Sequence, residues 1–349
     1  MADMDAVHAL LGKVLGDFGG AVSAVLVKVG EERGLFKALA KGPATSGELA
    51  ARTGLAERYL REWLSAMTAS AYVSYAPSDQ RFSLSETQAI VFAQEGTPAY
   101  MPAFVDTLIS LYYDYPKISH AFTTGEGVPW GDHHSCLFCG TERFFRPGYA
   151  AFLVGEWLPA LDGVKAKLEA GARVADIGCG HGASTIIMAQ AFPKSTFTGF
   201  DFHAPSVEKA RAHAKEAGVS NATFEVAAAK SFAGGPYDLV TIFDALHDMG
   251  DPAGAARHIK SQMKSDGTWM VVEPLAGDRL EDNLNPIGQL FYGASTLVCT
   301  PASLAQEVGL ALGAQAGQAR LTKVLNEGGF TKVRRAAETP TNMVLEARI

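Results

Sequence analysis

The chain has 349 residues, of which 48% are hydrophobic and 19% charged, a composition that excludes a mostly disordered protein and suits two to three domains of about 150 residues. Thirty basic and 37 acidic side chains give a net charge of −7, which repels polyanions. The longest uninterrupted apolar runs are far shorter than the about 20 residues of a bilayer span, so no transmembrane helix is predicted. The N-terminal MADMDAVHALLGKVL carries two Asp where a signal peptide needs basic residues, which indicates a cytoplasmic protein.

Residues 1–96 are predicted to form a winged helix domain. Two apolar helices are expected, from Met4 to Leu15 and from Ala21 to Ala40, followed by a short capped helix that stops at Gly54. The third helix counted from Ala21 follows, and in it the apolar residues Leu60, Leu64 and Met67 recur at helical spacing. Alternating segments around Val73 and Phe82 flank Pro77, Ser78 and Asp79 and predict a two-stranded wing.

The charge of this domain argues against a nucleic-acid partner. Residues 1–95 hold nine basic and eleven acidic side chains, and Arg58 and Arg61 of the third helix lie beside Glu57 and Glu62. Such a surface attracts phosphate weakly, so DNA binding is not expected. The first two helices carry more apolar residues than a small module can bury, and we therefore predict a homodimer built on residues 1–100.

Residues 97–164 are rich in aromatic side chains and are predicted to form a helical linker and substrate lid. Cys136 and Cys139 follow His133 and His134, and these four side chains could in principle bind zinc. They are too close in sequence to wrap around an ion, so reduced thiols are the expected state, although a metal is left open.

From residue 165 to residue 349, strand-like and helix-like stretches alternate. This pattern predicts an α/β domain with a parallel sheet and right-handed crossovers. Two final strands, FTKVRRAA and NMVLEARI, are separated by four residues and could pair in antiparallel fashion.

A glycine-rich loop follows the first strand of this domain, in the sequence DIGCGHGA. Gly178, Gly180 and Gly182 would let a ligand approach the backbone closely, and the helix behind them offers free N–H groups. The same string fits a dinucleotide fingerprint, so the glycines do not separate nicotinamide cofactors from other nucleosides. Asp176 favours a cofactor with an amino-acid moiety, because its carboxylate would repel a pyrophosphate and accept hydrogen bonds from an ammonium group.

Further polar side chains are expected at the carboxyl ends of later strands. Asp201 ends the second strand, 21 residues after Gly180, where a carboxylate can bind both ribose hydroxyls. Asp244, His247 and Asp248 follow the fourth strand, at the edge where open α/β sheets bind their ligands. Asp244 is equally well placed to contact the cofactor or to cap the next helix.

These motifs together resemble the class I S-adenosylmethionine-dependent methyltransferases. DIGCGHG is similar to their first motif, the FD at 200–201 to their ribose acid, and YDLV with GTWMVVEP to their later core motifs. The resemblance implies a Rossmann-like seven-stranded sheet with an antiparallel last strand, and an S-adenosylmethionine site at Gly178, Gly180, Gly182 and Asp201. Members often hold the adenine amino group with an acid after the third strand, and here Ser231 or a main-chain group must substitute.

The layout of a winged helix before this domain resembles O-methyltransferases of small-molecule metabolism, and the stretch NPIGQLFYGASTLVCTPASL at 285–304 further resembles a largely uncharacterised bacterial group of methyltransferases with a winged-helix N-terminus. The O-methyltransferases use a histidine base in an H-D-x motif, which ALHDMGDP matches at His247 and Asp248, with Met249 in place of the usual Trp. The resemblance therefore implies methyl transfer to a small, partly apolar metabolite with His247 as general base. The alternatives are a ligand-sensing transcriptional regulator on an inactive core and a nicotinamide dehydrogenase.

A metal is not predicted at the same pair. A related methyltransferase type uses the His-Asp pair as metal ligands, but no third ligand can be assigned from this sequence. Cys299 is expected near the pocket as a buried, unreactive thiol.

Overall fold

The computed structural model describes residues 3–349 and divides into two compact units. One unit consists of residues up to 109 together with 139–147, and the other of residues 110–138 together with 148–349. Helices and strands are numbered below in chain order.

Residues 4–92, which belong to the first unit, form five helices and a hairpin. The helices are α1 (Met4–Glu32), α2 (Leu35–Leu39), α3 (Ser46–Thr53), α4 (Glu57–Ala69) and α5 (Glu86–Phe92). The predicted wing is confirmed as strands β1 (Ser74–Ala76) and β2 (Arg81–Ser83), which pair in antiparallel fashion.

Local sequence explains why α3 is so short. The Thr45 hydroxyl accepts the N–H of Glu48 at 3.2 Å, and the Glu48 carboxylate accepts the N–H of Thr45 at 2.8 Å, which forms a capping box. Gly54 ends the helix at φ 71°, a left-handed conformation that favours glycine. The predicted helix ending at Gly54 is therefore confirmed.

The predicted break after Leu15 is wrong, because α1 runs without interruption from Met4 to Glu32. Gly16, Gly19 and Gly20 lie inside it and their Cα atoms face open space, so no neighbour forces a turn there. The helix ends just before Gly34, which has φ 67°.

Most of α1 is exposed in the single chain. Its outward side chains include large apolar residues, namely Met4, Leu10, Leu11, Leu15, Phe18, Val22 and Val25. α1 is long and apolar enough to cross a membrane, but core helices of soluble proteins can have the same length and composition. The sequence of α1 contains no long uninterrupted apolar run, because glycines and single charged residues divide it. The prediction from such runs therefore did not identify this helix as apolar enough to span a membrane.

The core of the first unit forms around α4. Leu60, Leu64 and Met67 are all buried, as their helical spacing predicts. Trp63 packs edge-on against Phe36 and donates its indole N–H to the carbonyl oxygen of residue 26 at 2.8 Å.

Two further long helices are α6 (Phe104–Thr124) and α7 (Cys136–Phe152). A π-helical turn, Leu153–Trp157, continues α7.

A seven-stranded sheet forms the centre of the second unit. Its strands are β3 (Arg173–Ile177), β4 (Thr196–Asp201), β5 (Ala222–Val226), β6 (Tyr237–Phe243), β7 (Met263–Pro274), β8 (Lys332–Glu338) and β9 (Asn342–Arg348). The spatial order is β5-β4-β3-β6-β7-β9-β8. Strands β3 to β7 are parallel, whereas β9 is antiparallel to β7 and to β8, so the predicted Rossmann-like sheet and final antiparallel pair are confirmed.

Helices accompany these strands as the alternating pattern predicts. They are α8 (Val164–Ala170), α9 (Ala183–Ala191), α10 (Ala204–Glu216), α11 (Pro252–Ser261), α12 (Pro286–Ala294), α13 (Thr300–Leu304) and α14 (Gly317–Glu327). Trp269 and Phe330 are fully buried and pack with ring centroids 5.0 Å apart. Because β3, β4 and β6 are parallel neighbours, their carboxyl ends meet at one edge, which carries the polar residues identified above.

Candidate active site

The glycine loop wraps tightly around the end of β4. The N–H groups of Gly178 and Cys179 both donate to the carbonyl oxygen of Phe200, at 2.8 and 3.0 Å. All three loop glycines have positive φ, but they differ in what surrounds them. A Cβ at Gly180 would meet open space, whereas a Cβ at Gly182 would lie 2.8 Å from the Phe224 ring. Gly180 therefore faces room for a ligand, and Gly182 allows close packing.

Asp201 is fixed by two backbone groups. One carboxylate oxygen accepts the N–H of Gly180 at 2.9 Å, and the other accepts the N–H of His203 at 2.8 Å. Burial raises the pKa of this carboxyl group, and the two backbone hydrogen bonds oppose that change. Each oxygen retains a lone pair, so the carboxylate can accept hydroxyl groups from a ligand beside Gly180.

Asp176 is placed differently from its sequence-based interpretation. Its two oxygens accept the hydroxyls of Ser184 at 2.7 Å, Thr185 at 2.5 Å and Thr241 at 2.9 Å, and the residue is only 1% exposed. The carboxylate thus anchors the first turn of α9 to the sheet from below, where an ammonium group of a ligand has little access.

Ser231 lies in the turn after β5. Its side chain is exposed, and its hydroxyl donates to the carbonyl oxygen of Ala228 at 3.4 Å. Two apolar side chains, Phe202 and Val226, are more than half exposed at the ends of β4 and β5. The ends of β4 and β5 therefore present an apolar surface, and the turn after β5 presents a hydroxyl.

Asp244 has an unusual backbone conformation, with φ 47°. Its side chain accepts the Tyr149 hydroxyl at 2.9 Å and the Asn342 amide N–H at 2.7 Å. Burial, and then the nearby Glu273 carboxylate, raise its pKa to about 7. It caps no helix: the N-terminus of α11 is capped instead by Asp251, which accepts the N–H of Gly254 at 2.8 Å.

His247 is buried at the end of β6 in a short 3₁₀ turn, Leu246–Asp248. Its Nδ1 lies 2.5 Å from Glu273 Oε2, and the other oxygen of Glu273 accepts the N–H of Leu246 at 2.9 Å. Its Nε2 lies 3.3 Å from Asp248 Oδ1. Burial alone would lower the pKa of His247, but the carboxylates of Glu273 and Asp248 outweigh burial and raise it well above its usual range.

Cys299 completes this cluster from a distant part of the sequence. It ends a π-helical turn, Ser295–Cys299. Its Sγ, one ring nitrogen of His247 and one carboxylate oxygen of Asp248 all lie within 4.8 Å of one another. Burial, and then the Asp248 carboxylate, raise the pKa of the thiol to about 12. Cys299 is buried, as expected, and it also supplies the third side chain that sequence reasoning did not find beside the His-Asp pair.

The two histidines before the C-x-x-C motif contact other side chains, and Cys136 and Cys139 form no disulfide. His133 Nδ1 lies 2.9 Å from Asp114 Oδ2, and the His134 ring stacks on Tyr113. Among residues 3–349, the group of His, Cys, Asp and Glu side chains close enough to share a metal ion is His247, Asp248 and Cys299.

Sequence reasoning missed three partners of the site, namely Glu273, Tyr149 and Asn342. Glu273 carried a signal, because it is a charged residue directly after the apolar run 269–272 of strand β7. Tyr149 and Asn342 carried none, since each lies more than 90 residues from Asp244 in the chain.

Comparison with known families agrees with this architecture. Residues 168–329 match the model described as a methyltransferase domain, and residues 21–94 match the Rv2258c-like winged HTH domain. The chain carries a methyltransferase domain behind a winged helix domain. The methyltransferase domain contains the glycine loop, Asp201 and the His247 cluster.

Relatives of the methyltransferase domain are recognisable in sequence. The ubiquinone biosynthesis O-methyltransferase of Bordetella avium (strain 197N) is 33% identical over 154 residues, which are 43% of this chain and 58% of that protein. An uncharacterised methyltransferase, YcgJ of Bacillus subtilis (strain 168), is 30% identical over 129 residues, 36% of this chain and 50% of that protein. The chain thus spans about half the length of the curated relatives it matches.

Solved structures resemble the whole chain. The mitomycin 7-O-methyltransferase MmcR has a TM-score of 0.73 and 20% identity, with 99% of this chain and 100% of that chain covered. Human N-acetylserotonin methyltransferase, solved in complex with SAM, has a TM-score of 0.72 and 17% identity, with 98% and 97% covered. At these identities the likeness establishes the shared fold, including the methyltransferase domain.

Proposed function

We propose that the protein transfers a methyl group from S-adenosylmethionine to a small, partly apolar metabolite through an oxygen, sulfur or enolic carbon nucleophile. The observation that carries the proposal is the open space at Gly180 directly beside the Asp201 carboxylate, at the carboxyl edge of a methyltransferase domain.

Asp201 would accept the ribose hydroxyls, since both of its oxygens are held in place by backbone N–H groups and keep lone pairs. The adenine would lie on the exposed Phe202 and Val226, with Ser231 as the candidate partner of its amino group. Gly178 and Gly180 would let the amino-acid moiety approach the loop. Asp176 and Gly182 would support that loop from behind, and Asp244 would border the site through its bonds to Tyr149 and Asn342.

Methyl transfer forms one bond and breaks one. The acceptor's lone pair bonds to the methyl carbon while the sulfur–carbon bond breaks and its electrons return to sulfur, leaving a neutral thioether. The protein therefore mainly aligns the two reactants and excludes water. The acceptor's proton must also leave, and a neutral imidazole can accept it.

His247 is proposed as that base. Its Nδ1 would keep its proton and donate it in a hydrogen bond to the Glu273 carboxylate. This bond fixes the ring, so Nε2 is the basic atom. Asp248, next to Nε2, would stabilise the imidazolium that forms. Because both carboxylates raise the pKa of His247, the base would be strong, and activity would increase as pH rises and the ring loses its proton.

Replacing His247 by alanine would separate cofactor binding from turnover. With a screen of phenols, α-keto acids and thiols as acceptors, we expect His247→Ala to lower kcat by about 10² to 10⁴. Its affinity for S-adenosylmethionine, measured by calorimetry, should stay nearly unchanged. Wild-type kcat in a folded variant would show that the acceptor loses its proton elsewhere.

The proposed assembly is a cytoplasmic homodimer in which α1 packs on a second copy. The exposed apolar face of α1 would cost free energy in a lone chain, and a second copy would cover it. Light scattering should give about twice 36.9 kDa, and Leu15→Asp with Phe18→Asp should give single chains. A monomeric wild type, or sedimentation with lipid vesicles, would contradict this assembly.

The alternative function is a ligand-sensing transcriptional regulator, and the match of residues 21–94 to a winged HTH domain is the observation that favours it. The charges of α4 count against it, because Arg58 and Arg61 form ion pairs with Glu62 at 2.6 Å and Glu57 at 2.7 Å. These guanidinium groups are already neutralised on the helix that would enter DNA. A mobility shift with genomic DNA fragments at physiological salt would favour the regulator, and retention of S-adenosylmethionine binding without a shift would favour the enzyme.

A further inference from the structure

We propose that His247, Asp248 and Cys299 form a binding site for a thiophilic divalent metal ion of the Zn²⁺ type. The three side chains offer one nitrogen, one oxygen and one sulfur atom, all within 4.8 Å of one another. This is the ligand set that zinc accepts in proteins. Three protein ligands leave a fourth position open to water or to a ligand's heteroatom, as in catalytic rather than structural zinc sites.

The spacing of the first two ligand atoms fits a tetrahedral ion. Bond lengths of about 2.0 to 2.2 Å place two ligand atoms about 3.4 Å apart at a tetrahedral angle. His247 Nε2 and Asp248 Oδ1 are 3.3 Å apart. An ion could therefore bind both atoms without moving either residue's backbone.

Two of the atoms that would bind the ion, His247 Nε2 and Asp248 Oδ1, face each other. Asp248 Oδ1 is buried and accepts no well-formed hydrogen bond among the described residues, which is costly for a carboxylate oxygen. It lies 3.3 Å from His247 Nε2, and the Asp248 carboxyl group also interacts with the Cys299 thiol. His247 already uses its Nδ1 with Glu273, so only Nε2 remains for a metal. A carboxylate behind a metal-binding histidine is the usual outer partner of such sites, because it orients the ring and increases its basicity.

Charge also favours a dication at this point. Glu273, Asp248 and a deprotonated Cys299 would surround the ion with negative charge. On binding, the thiol releases its proton to solvent and any proton on Nε2 is displaced, so the sulfur and nitrogen lone pairs both go to the metal. The metal and a proton would use the same lone pair of His247, so the general-base role proposed above belongs to the metal-free protein.

A cobalt titration tests the site without any methyl acceptor. The full-length protein, reduced and stripped with EDTA under anaerobic conditions, is titrated with Co²⁺, and the spectrum is recorded. We expect one Co²⁺ per chain, a near-ultraviolet thiolate-to-cobalt band, intense visible bands of a four-coordinate ion, and displacement by Zn²⁺. Absence of stoichiometric binding or of the thiolate band would overturn the proposal.

Variants identify the ligands. Cys299→Ser should abolish the thiolate band, whereas Cys179→Ser, which alters the other buried cysteine, should keep it. Glu273→Gln should weaken Co²⁺ binding by about 10 to 100-fold with the band retained, as for lost outer partners of a metal site. A band that persists in Cys299→Ser would overturn the assignment.

If Cys299→Ser does not fold, Asp248→Asn decides the question: weakened Co²⁺ binding supports the site, and unchanged affinity overturns it. Isothermal titration calorimetry of the metal-free protein with S-adenosylmethionine tests the proposed function independently of metal binding. A protein that binds Co²⁺ but not S-adenosylmethionine would refute the proposed function and support the metal site. A protein that binds S-adenosylmethionine but not Co²⁺ would refute only the metal site.

Discussion

Asp201→Asn should weaken binding of S-adenosylmethionine while leaving most of the fold intact. The carboxylate accepts two backbone N–H groups, from Gly180 at 2.9 Å and His203 at 2.8 Å, one on each oxygen. An amide keeps one acceptor oxygen and turns the other atom into a donor, which would face one of these N–H groups. The substitution thus removes the charge that would bind the ribose and disturbs one of the two loop contacts.

The size of the effect follows from the bonds that are lost. A hydrogen bond to a charged group contributes about 1.5 to 3 kcal/mol. Since about 1.4 kcal/mol corresponds to a factor of ten in affinity, loss of one ribose hydrogen bond should weaken binding by about 10 to 150-fold. Loss of both would exceed that range.

Isothermal titration calorimetry with S-adenosylmethionine and S-adenosylhomocysteine measures the change directly. Asp266→Asn serves as the matched control, because Asp266 is exposed and forms a surface ion pair with Lys167 at 2.7 Å. Thermal unfolding without ligand checks that each variant folds. An Asp201→Asn protein that folds and binds both nucleosides with wild-type affinity would refute the assignment of the ribose site.

Three further predictions follow from the same edge of the sheet. Gly180→Val should reduce cofactor affinity by tenfold or more with a modest fall in Tm. Gly182→Val should mainly lower Tm, because a Cβ at this position would lie 2.8 Å from the buried Phe224 ring. Equal effects of the two variants on affinity and on Tm would contradict this distinction. Glu273→Gln should shift the rising limb of the pH–rate profile to lower pH, because the carboxylate raises the pKa of His247; an unshifted profile would exclude His247 as the titrating base. Asp244, with a folded pKa of about 7, holds a proton that the unfolded chain releases near pH 4, so stability should fall as pH rises from about 4 to 7. In urea titrations Asp244→Asn should flatten this decline, and an equally steep decline would assign it to another group.

Local sequence determined much of this protein. The capping box of α3 and Gly54 specify a helix of defined length from residues within one turn of its ends. The alternation of apolar strands and helices specified the parallel sheet, and the glycine loop with Asp201 marked its functional edge. These features were predictable because each depends on backbone conformation, periodicity or side chains only about 20 residues apart.

Long-range contacts decided the rest. The continuity of α1 through Gly16, Gly19 and Gly20 could not be inferred from glycine content, because whether a glycine ends a helix depends on what surrounds it in the fold. The domain boundaries at 96 and 164 stay predictions.

The partners of the polar residues show the same limit most clearly. Asp176, expected to bind a ligand, accepts three hydroxyls that the fold brings to it, and His247 gains Glu273 and Cys299 from strands and turns 26 and 52 residues away. A sequence lists which groups can donate, accept or bind a metal, but the partner of a buried group is set by chain packing, since burial makes each group bond to whatever the fold places within about 3 Å.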